Sequence, residues 1–327
     1  MQYNLTIQRQ LSGSMVLSVG YVGNLGRKML SISEANPGNS ALCLSLQGSG
    51  VMAGTLQCGK FLEDQTFTRP DGSFVSGTRS PFGHNFGTSF YEGNWANSDY
   101  NSLQVSLERR AGNSTFLFGY TWSKSMDNGS FFNDRINFAN HALSRSLSNF
   151  DVTHNFVGSY TYTIPFDRAF SNLPKRLVKG WEIAGITRFA TGLPVSLLGS
   201  YDQALTGTSG LDMPNFSGTL QYAGDPRNNG HIWMTDSGFS LPDLGHFGTA
   251  PRRFFHGPGF NNWNLALHKE TQIRENMVLQ IRAEFFNTFN HAQFSNPNGF
   301  LAGGQFGVIN SVKADPRIGQ VAAKFIF

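Results

Sequence analysis

Two cysteines, a scatter of histidines and one run of charged residues are the side chains in this sequence that could do chemistry. Cys43 and Cys58 stand in one Gly- and Ser-rich stretch. A disulfide between them would close about 15 residues, worth on the order of 3 kcal/mol in the chain-entropy view, and would suit an oxidising surface. Free thiols and metal ligation are the rival readings, although two cysteines without a spaced histidine pair make a poor zinc site. His231, His246 and His256 share a later stretch but lack helical i, i+4 spacing and neighbouring carboxylates. They read as exposed loop histidines rather than metal or haem ligands. Arg282 and Glu284 lie two apart, so on a strand both face one side, with Gln280 beside them and His268 on the preceding segment. That grouping predicts an ion-pair and hydrogen-bond network.

Other motifs dissolve on inspection. The glycine clusters "GSGVMAG" (48–54) and "GYVGNLGRK" (20–28) have neither a G-x-G-x-x-G turn opening a helix nor a G-K-[ST] ending. They read as loop and strand-end glycines. "NST" (113–115) and "NFS" (215–217) match the glycosylation triplet by chance. No Ser-His-Asp order or nucleophile elbow emerges, so no enzyme, cofactor or metal is expected.

What must position these groups is visible in the composition. The 327 residues are 39% hydrophobic and 14% charged, with 37 Gly and 30 Phe. Low charge with many aromatics argues against disorder and suits a wall whose side chains alternate between oil and water. A net charge of +4, spread along the chain, gives no footprint for nucleic acid. No run of about 18 apolar residues reads as a transmembrane helix, and "MQYNLTIQRQL" does not resemble a signal peptide.

Period-two alternation, the side-chain repeat of a strand, recurs throughout. Met1, Tyr3, Leu5 and Ile7 alternate with Gln2, Asn4, Thr6 and Gln8; a tight "LSGS" turn leads to Met15, Leu17, Val19 and Tyr21. Leu103, Val105 and Leu107 are followed, after "RAGNS", by Phe116, Phe118, Tyr120 and Trp122. Further strands are predicted over 152–164, 180–190, 261–269, 277–289 and 317–327, about nine in all. Two alternating runs joined by a short Gly/Ser turn signal a hairpin. The connections alternate in length, and the long ones cover 23–98, 125–149 and 192–259.

Short turns at one end and long loops at the other are the asymmetry of an outer-membrane barrel, whose spanning strands need about 9–11 residues. The expectation is therefore an all-β fold, an antiparallel transmembrane β-barrel segment with long extracellular loops and short periplasmic turns. Its lumen would hold the network of Arg282, Glu284, Gln280 and His268, and its loops the substrate contacts. Tyr21, Trp122 and Trp263 at the long-loop ends, with Tyr160, Tyr162 and Trp181 at the short-turn ends, would form the two aromatic girdles. A soluble sandwich shares the period, but its strands are shorter, about five or six residues. About nine strands that begin and end descending cannot close an antiparallel barrel. Residues 1–327 thus read as a partial barrel domain, lacking a plug and amino-terminal strands.

Several stretches, "YNLTIQRQLSGSMVLSVGYVGNLGRKM", "NFDVTHNFVGSYTYTIPF", "KGWEIAGITRFATGLPVSL" and "LQIRAEFFNTFNHAQFSNP", resemble the carboxy-terminal barrel of Oar-like TonB-dependent outer-membrane receptors. The resemblance covers nearly all the strands and hardly any of the long loops. It implies a barrel of the 22-stranded, plugged class in the outer membrane of a Gram-negative cell, importing a scarce small nutrient when TonB acts on a plug not present here. It also implies that the terminal row Val321, Ala323, Phe325 and Phe327 is the insertion signal read by the barrel-assembly machinery. A passive porin and a structural or adhesive surface barrel are the competing functions.

Overall fold

The computed structural model describes residues 1–48, 57–132 and 134–327. Nine long strands form one antiparallel sheet in chain order: β1 (Gln2–Ser12), β2 (Met15–Glu34), β3 (Phe90–Ala111), β4 (Ser114–Asp127), β5 (His154–Ile164), β6 (Trp181–Ala190), β7 (Phe260–Arg274), β8 (Met277–Phe286) and β9 (Ile318–Ile326). The short strand Ser146–Leu147 joins the sheet on β4. Apart from one bridge between Ser33 of β2 and Ile136, each long strand pairs with its neighbours in sequence, and the sheet stays open, with β1 bonded on one side to β2 and β9 on one side to β8. Among the described residues no helix is long and apolar enough to cross a membrane.

Register turns the sequence alternation into continuous rows. Leu5, Tyr21, Leu103, Trp122 and His154 lie on one rung, and Ile7, Val19, Val105, Tyr120, Phe156 and Phe189 on the next. Toward the other end, Phe116, Tyr160, Gly185, Leu265 and Phe285 align, followed by Tyr162, Ile183, Leu267, Ala283 and Val321. This face is apolar rung after rung, yet Leu5, Leu17, Phe118, Leu265 and Leu279 are all exposed or only partly covered. Among the described residues, every buried apolar side chain except Ala96 lies outside the nine strands. An apolar sheet face with no protein core against it is what a bilayer covers.

The outward face is tiled by rings. Phe116 and Phe118 stack with centroids 4.7 Å apart, and Phe118–Phe156, Phe156–Phe189 and Phe189–Trp263 continue the belt at 6.0, 6.0 and 5.5 Å. Aromatic pairs of this kind contribute about 0.5–1.5 kcal/mol each beyond their area. Several rings lie over a glycine of the neighbouring strand. A Cβ added at Gly23 would stand 2.2 Å from the Tyr3 ring, at Gly158 2.8 Å from Phe118, and at Gly185 2.6 Å from Tyr160. The ring covers backbone that the missing side chain leaves bare.

The hairpins β1–β2, β3–β4 and β7–β8 turn in two residues each, at 13–14, 112–113 and 275–276. All the other connections but 165–180 emerge at the opposite end. The sequence placed the first long loop at 23–98, but β2 and β3 continue past the expected boundaries, pairing Leu25 with Asp99 and Glu34 with Phe90. Irregularities between Gly26 and Met29 and between Met29 and Ser31 shift the register there. Alternation breaks at such bulges while pairing goes on. The glycine run at 20–28 is accordingly strand, and "GSGVMAG" lies, past Gly48, outside the described residues. The second long loop likewise starts later than expected, since β4 runs to Asp127.

The protein core sits in the loops. Val195, Leu197, Met213, Met234, Ala250 and Phe255 form one buried cluster. Cys43, Leu46, Cys58, Phe67 and Leu205 form a second, which joins the first loop, including α1 (Ser40–Gly48), to the third. Cys43 and Cys58 are bridged there by a disulfide. Beneath this cluster Asp202 accepts hydrogen bonds from the backbone N–H groups of Phe61, Thr206 and Gly207, and Asp212 accepts from those of Asp202 and Ala204. Burial, with the adjacent Asp202 carboxylate, pushes the Glu63 carboxyl up to about 8. Burial pushes Asp212 up to about 6.

Two predictions follow from this packing. Gly185→Ala forces the Tyr160 ring away from its place and breaks its 3.2 Å contact with the Thr187 hydroxyl; urea unfolding in detergent micelles should show a loss of about 1–3 kcal/mol. Gly13→Ala, with open space around its added carbon, should stay within about 0.5 kcal/mol. The second concerns pH. Acids whose folded pKa is raised hold protons that the unfolded chain releases, so their contribution is full below the unfolded value and disappears as pH rises through the folded one. Protease resistance of the loop region should therefore fall between about pH 4 and pH 8, the window set by 3.8 to about 6 for Asp212 and 4.5 to about 8 for Glu63. Glu63→Gln should flatten its upper half.

Candidate functional site

Among the described residues of the loop region, an open hollow is built on two buried polar side chains. The extended β2 ends at Glu34, whose Oε1 accepts from the backbone N–H groups of Asn36 and Ser89 at 3.0 and 2.9 Å, and whose Oε2 accepts from the Thr208 hydroxyl at 3.1 Å. Asn36 donates through Nδ2 to the carbonyls of Gly83 and Gly87, and its Oδ1 accepts from the Phe82 N–H. Arg79, buried and paired with Asp64, donates to the Asn36 carbonyl. Segment 80–89 thus hangs from Glu34 and Asn36, both nearly fully buried.

That segment presents Phe82 and Phe86, with ring centroids 6.1 Å apart. Together with Phe90, Tyr91 and Phe138 they line a hollow of about 740 Å³. The Arg135 guanidinium lies 4.3 Å over the Phe90 ring and is held by Ser209 through its carbonyl and hydroxyl, both at 2.8 Å. Four of the five rings, those of Phe82, Phe86, Phe90 and Tyr91, are exposed. An open aromatic cup on a rigid polar frame can hold a ligand by stacking and apolar contact.

The sequence-derived residues fall in several places. His268 and Arg282 are register partners on the non-aromatic face. His268 Nδ1 lies 3.4 Å from Glu182, its Nε2 4.0 Å from Glu284, and Arg282 Nη1 3.9 Å from Glu284. Gln280 donates to Glu270 at 3.3 Å rather than into that group. Gln320 donates to Glu284 from β9. Val321, Ala323 and Phe325 pair with Ala283, Ile281 and Leu279, while Phe327 follows the last paired residue and is 92% exposed. Trp122 and Trp263 stand toward the long-loop ends of β4 and β7, and Tyr160, Tyr162 and Trp181 at the short-turn ends of β5 and β6. Tyr21 sits midway along β2 on the rung of Trp122, donating to Asn101 at 2.7 Å, because the β2–β3 hairpin rises beyond it.

His231 and His246 are exposed, but His256 is not the free loop histidine its sequence suggests. Its Nε2 lies 2.8 Å from Oδ2 of the buried Asp151, which also accepts from the Ser125 N–H. The partner comes from another loop, 105 residues away, so local spacing could not reveal it. Among the described residues no group of three or more His, Cys, Asp or Glu side chains could hold a metal ion.

Sequence reasoning missed the 287–317 connection as part of the site. It returns over the third long loop, pairing Leu198 with Phe300 and Ile232 with Val308, and the buried Gln293 clasps Asn261 by donating to its carbonyl and accepting from its N–H. It missed Arg253 too, which donates to the Leu147 carbonyl and the Ser130 hydroxyl and lies 3.5 and 3.4 Å from Asp127 and Asp134. The run "SNPNGFLAGGQFG", as rich in Asn and Gly as the recognised loops, was the available signal for the former.

A search of curated protein sequences gives no significant match. Among solved structures, the outer membrane transporter YddB from Escherichia coli is similar at 9% identity and TM-score 0.46, over 99% of this chain and 32% of its own. The ferripyoverdine receptor of the outer membrane of Pseudomonas aeruginosa is similar at 12% identity and TM-score 0.40, over 99% and 26%. The ferric-catecholate import receptor Fiu from E. coli follows at 11% and 0.35, over 99% and 34%. The chain spans about a third or less of the length of each. A family model described as an outer membrane beta barrel domain matches residues 1–320. With its open antiparallel wall, uncovered apolar face and loops gathered at one end, the chain belongs to the outer-membrane β-barrel domain family.

Proposed function

We propose that this chain is the carboxy-terminal barrel wall and surface-loop region of a TonB-dependent outer-membrane receptor that imports a scarce nutrient. The observation that carries the reading is the aromatic cup held on Glu34 and Asn36 above the lipid-facing wall: a fixed recognition surface at the long-loop end. The two unpaired sheet edges support completion of the barrel by further strands, since backbone groups in lipid must be paired. In the whole receptor a plug would fill the lumen, against the His268, Arg282 and Glu284 group, and TonB would act through that plug. No chemical transformation of the ligand is part of this role.

Planar-bilayer recording of the full-length protein tests it. A plugged receptor should show no steady conductance, whereas a stable ohmic conductance would identify a passive porin. Growth on a limiting nutrient should require both the receptor and TonB; growth indifferent to TonB would select a structural or adhesive barrel instead. The terminal row provides a further check. We expect Phe327→Asp, or deletion of Phe327, to abolish surface exposure of the full-length receptor while its synthesis continues, and unchanged surface labelling would remove the insertion-signal role.

A further inference from the structure

The connection 165–180 is unlike the two-residue turns on its side of the sheet. It carries four basic residues, Arg168, Lys175, Arg176 and Lys179, against one acid, Asp167. All four basic side chains are exposed, and among the described residues none of them has an acidic partner. Between them stand Phe170, Leu173 and Leu177, exposed at 52%, 50% and 63%. Cations and bare apolar side chains alternate on one short segment.

The segment is strapped to the apolar side of the wall. Lys269, which shares a rung with Trp181 and Ile281, donates through Nζ to the carbonyls of Arg176 and Lys179 at 3.0 and 2.6 Å. Arg176 donates to the Ile273 carbonyl at 3.1 Å, and Trp181 Nε1 to the Leu177 carbonyl at 2.8 Å. Phe166 meets Trp181 edge-on at 6.3 Å. Beside the strap lies a cleft of about 610 Å³ at the sheet end, lined by Lys175, Arg176 and Lys179 and by residues of both sheet faces, Trp181, Lys269 and Ile281 of the apolar one and Glu182, His268 and Arg282 of the polar one. The acids that reach it, Glu182 and Glu270, are engaged with His268 and Gln280. The strap's cations remain available.

From this we infer that the 165–180 strap is a binding site for anionic phospholipid of the periplasm-facing leaflet. Its apolar residues enter the acyl boundary, and Lys175, Arg176 and Lys179 hold the phosphate of the headgroup. An interfacial segment needs an apolar side for the acyl region and basic residues for the surface charge, and Trp181 stands where interfacial rings belong. The assignment of leaflet rests on the barrel orientation proposed above, but headgroup selectivity does not.

Native mass spectrometry of the protein purified from the outer membrane, titrated with dioleoyl phosphatidylglycerol or dioleoyl phosphatidylcholine, tests the site. Phosphatidylglycerol should bind at least about tenfold more tightly, and K175Q/R176Q/K179Q should lower its affinity about 100-fold, at roughly fivefold per cation. Lys175→Gln alone, on a side chain free of hydrogen bonds among the described residues, should give a roughly fivefold loss without touching the fold. Equal binding of the two lipids, unchanged affinity in both variants, or displacement of the lipid by equimolar inorganic phosphate would overturn the proposal. Orientation is read separately. Both native cysteines are bridged, so Ser171→Cys offers one thiol, which an impermeant maleimide should reach only after the outer membrane is opened. Labelling in intact cells would place the strap on the outer side and refute the leaflet assignment alone.

Discussion

In hydrocarbon, no water is present to take an unpaired backbone N–H or carbonyl, and each one left over costs several kcal/mol. That constraint sets the wall of this protein. It demands an unbroken ladder, so each strand is bonded to the strands before and after it in sequence. It also frees the side chains from making a core. One face of every strand carries Leu, Val, Ile and rings, and the glycines between them are roofed by Tyr3, Phe118 and Tyr160.

What the wall does not contain, the loops do. Two buried clusters, a disulfide and a set of buried carboxylates and arginines stand above the sheet. The burial of Glu34, Asp151, Asp202 and Arg253 is tolerable because each is met by backbone donors or acceptors, hydroxyls or an opposite charge. These groups hold long, irregular chain in one shape, which short regular elements would otherwise do. The aromatic cup depends on that rigidity, since Phe82 and Phe86 sit on a segment with little regular structure of its own.

The wall was legible in the sequence because lipid on one side and water on the other leave a period-two record. Leu5 opposite Tyr21 and Leu265 opposite Phe285 follow from alternation and turn position alone. The record fails where the environment changes. Beyond Gly26 the hairpin leaves the expected span, its side chains no longer alternate between two media, and two bulges reset the phase. The site was less legible. Glu34 and Asn36 carry no local pattern, and His256 finds Asp151 across 105 residues; both become visible only once loops are folded together. The recognisable part was the aromatic surplus, not its arrangement.

The separation of the two cores has a further meaning. Leu205 and Leu244 of the third loop pack on the first, Phe138 meets Phe247, and polar ties join loop to loop, while no residue of the nine strands belongs to either buried cluster. The loop surface can therefore change residue by residue, while the strands keep the alternation that a bilayer on one side demands. Loop and wall answer to different solvents, so a change in one leaves the other's rules untouched.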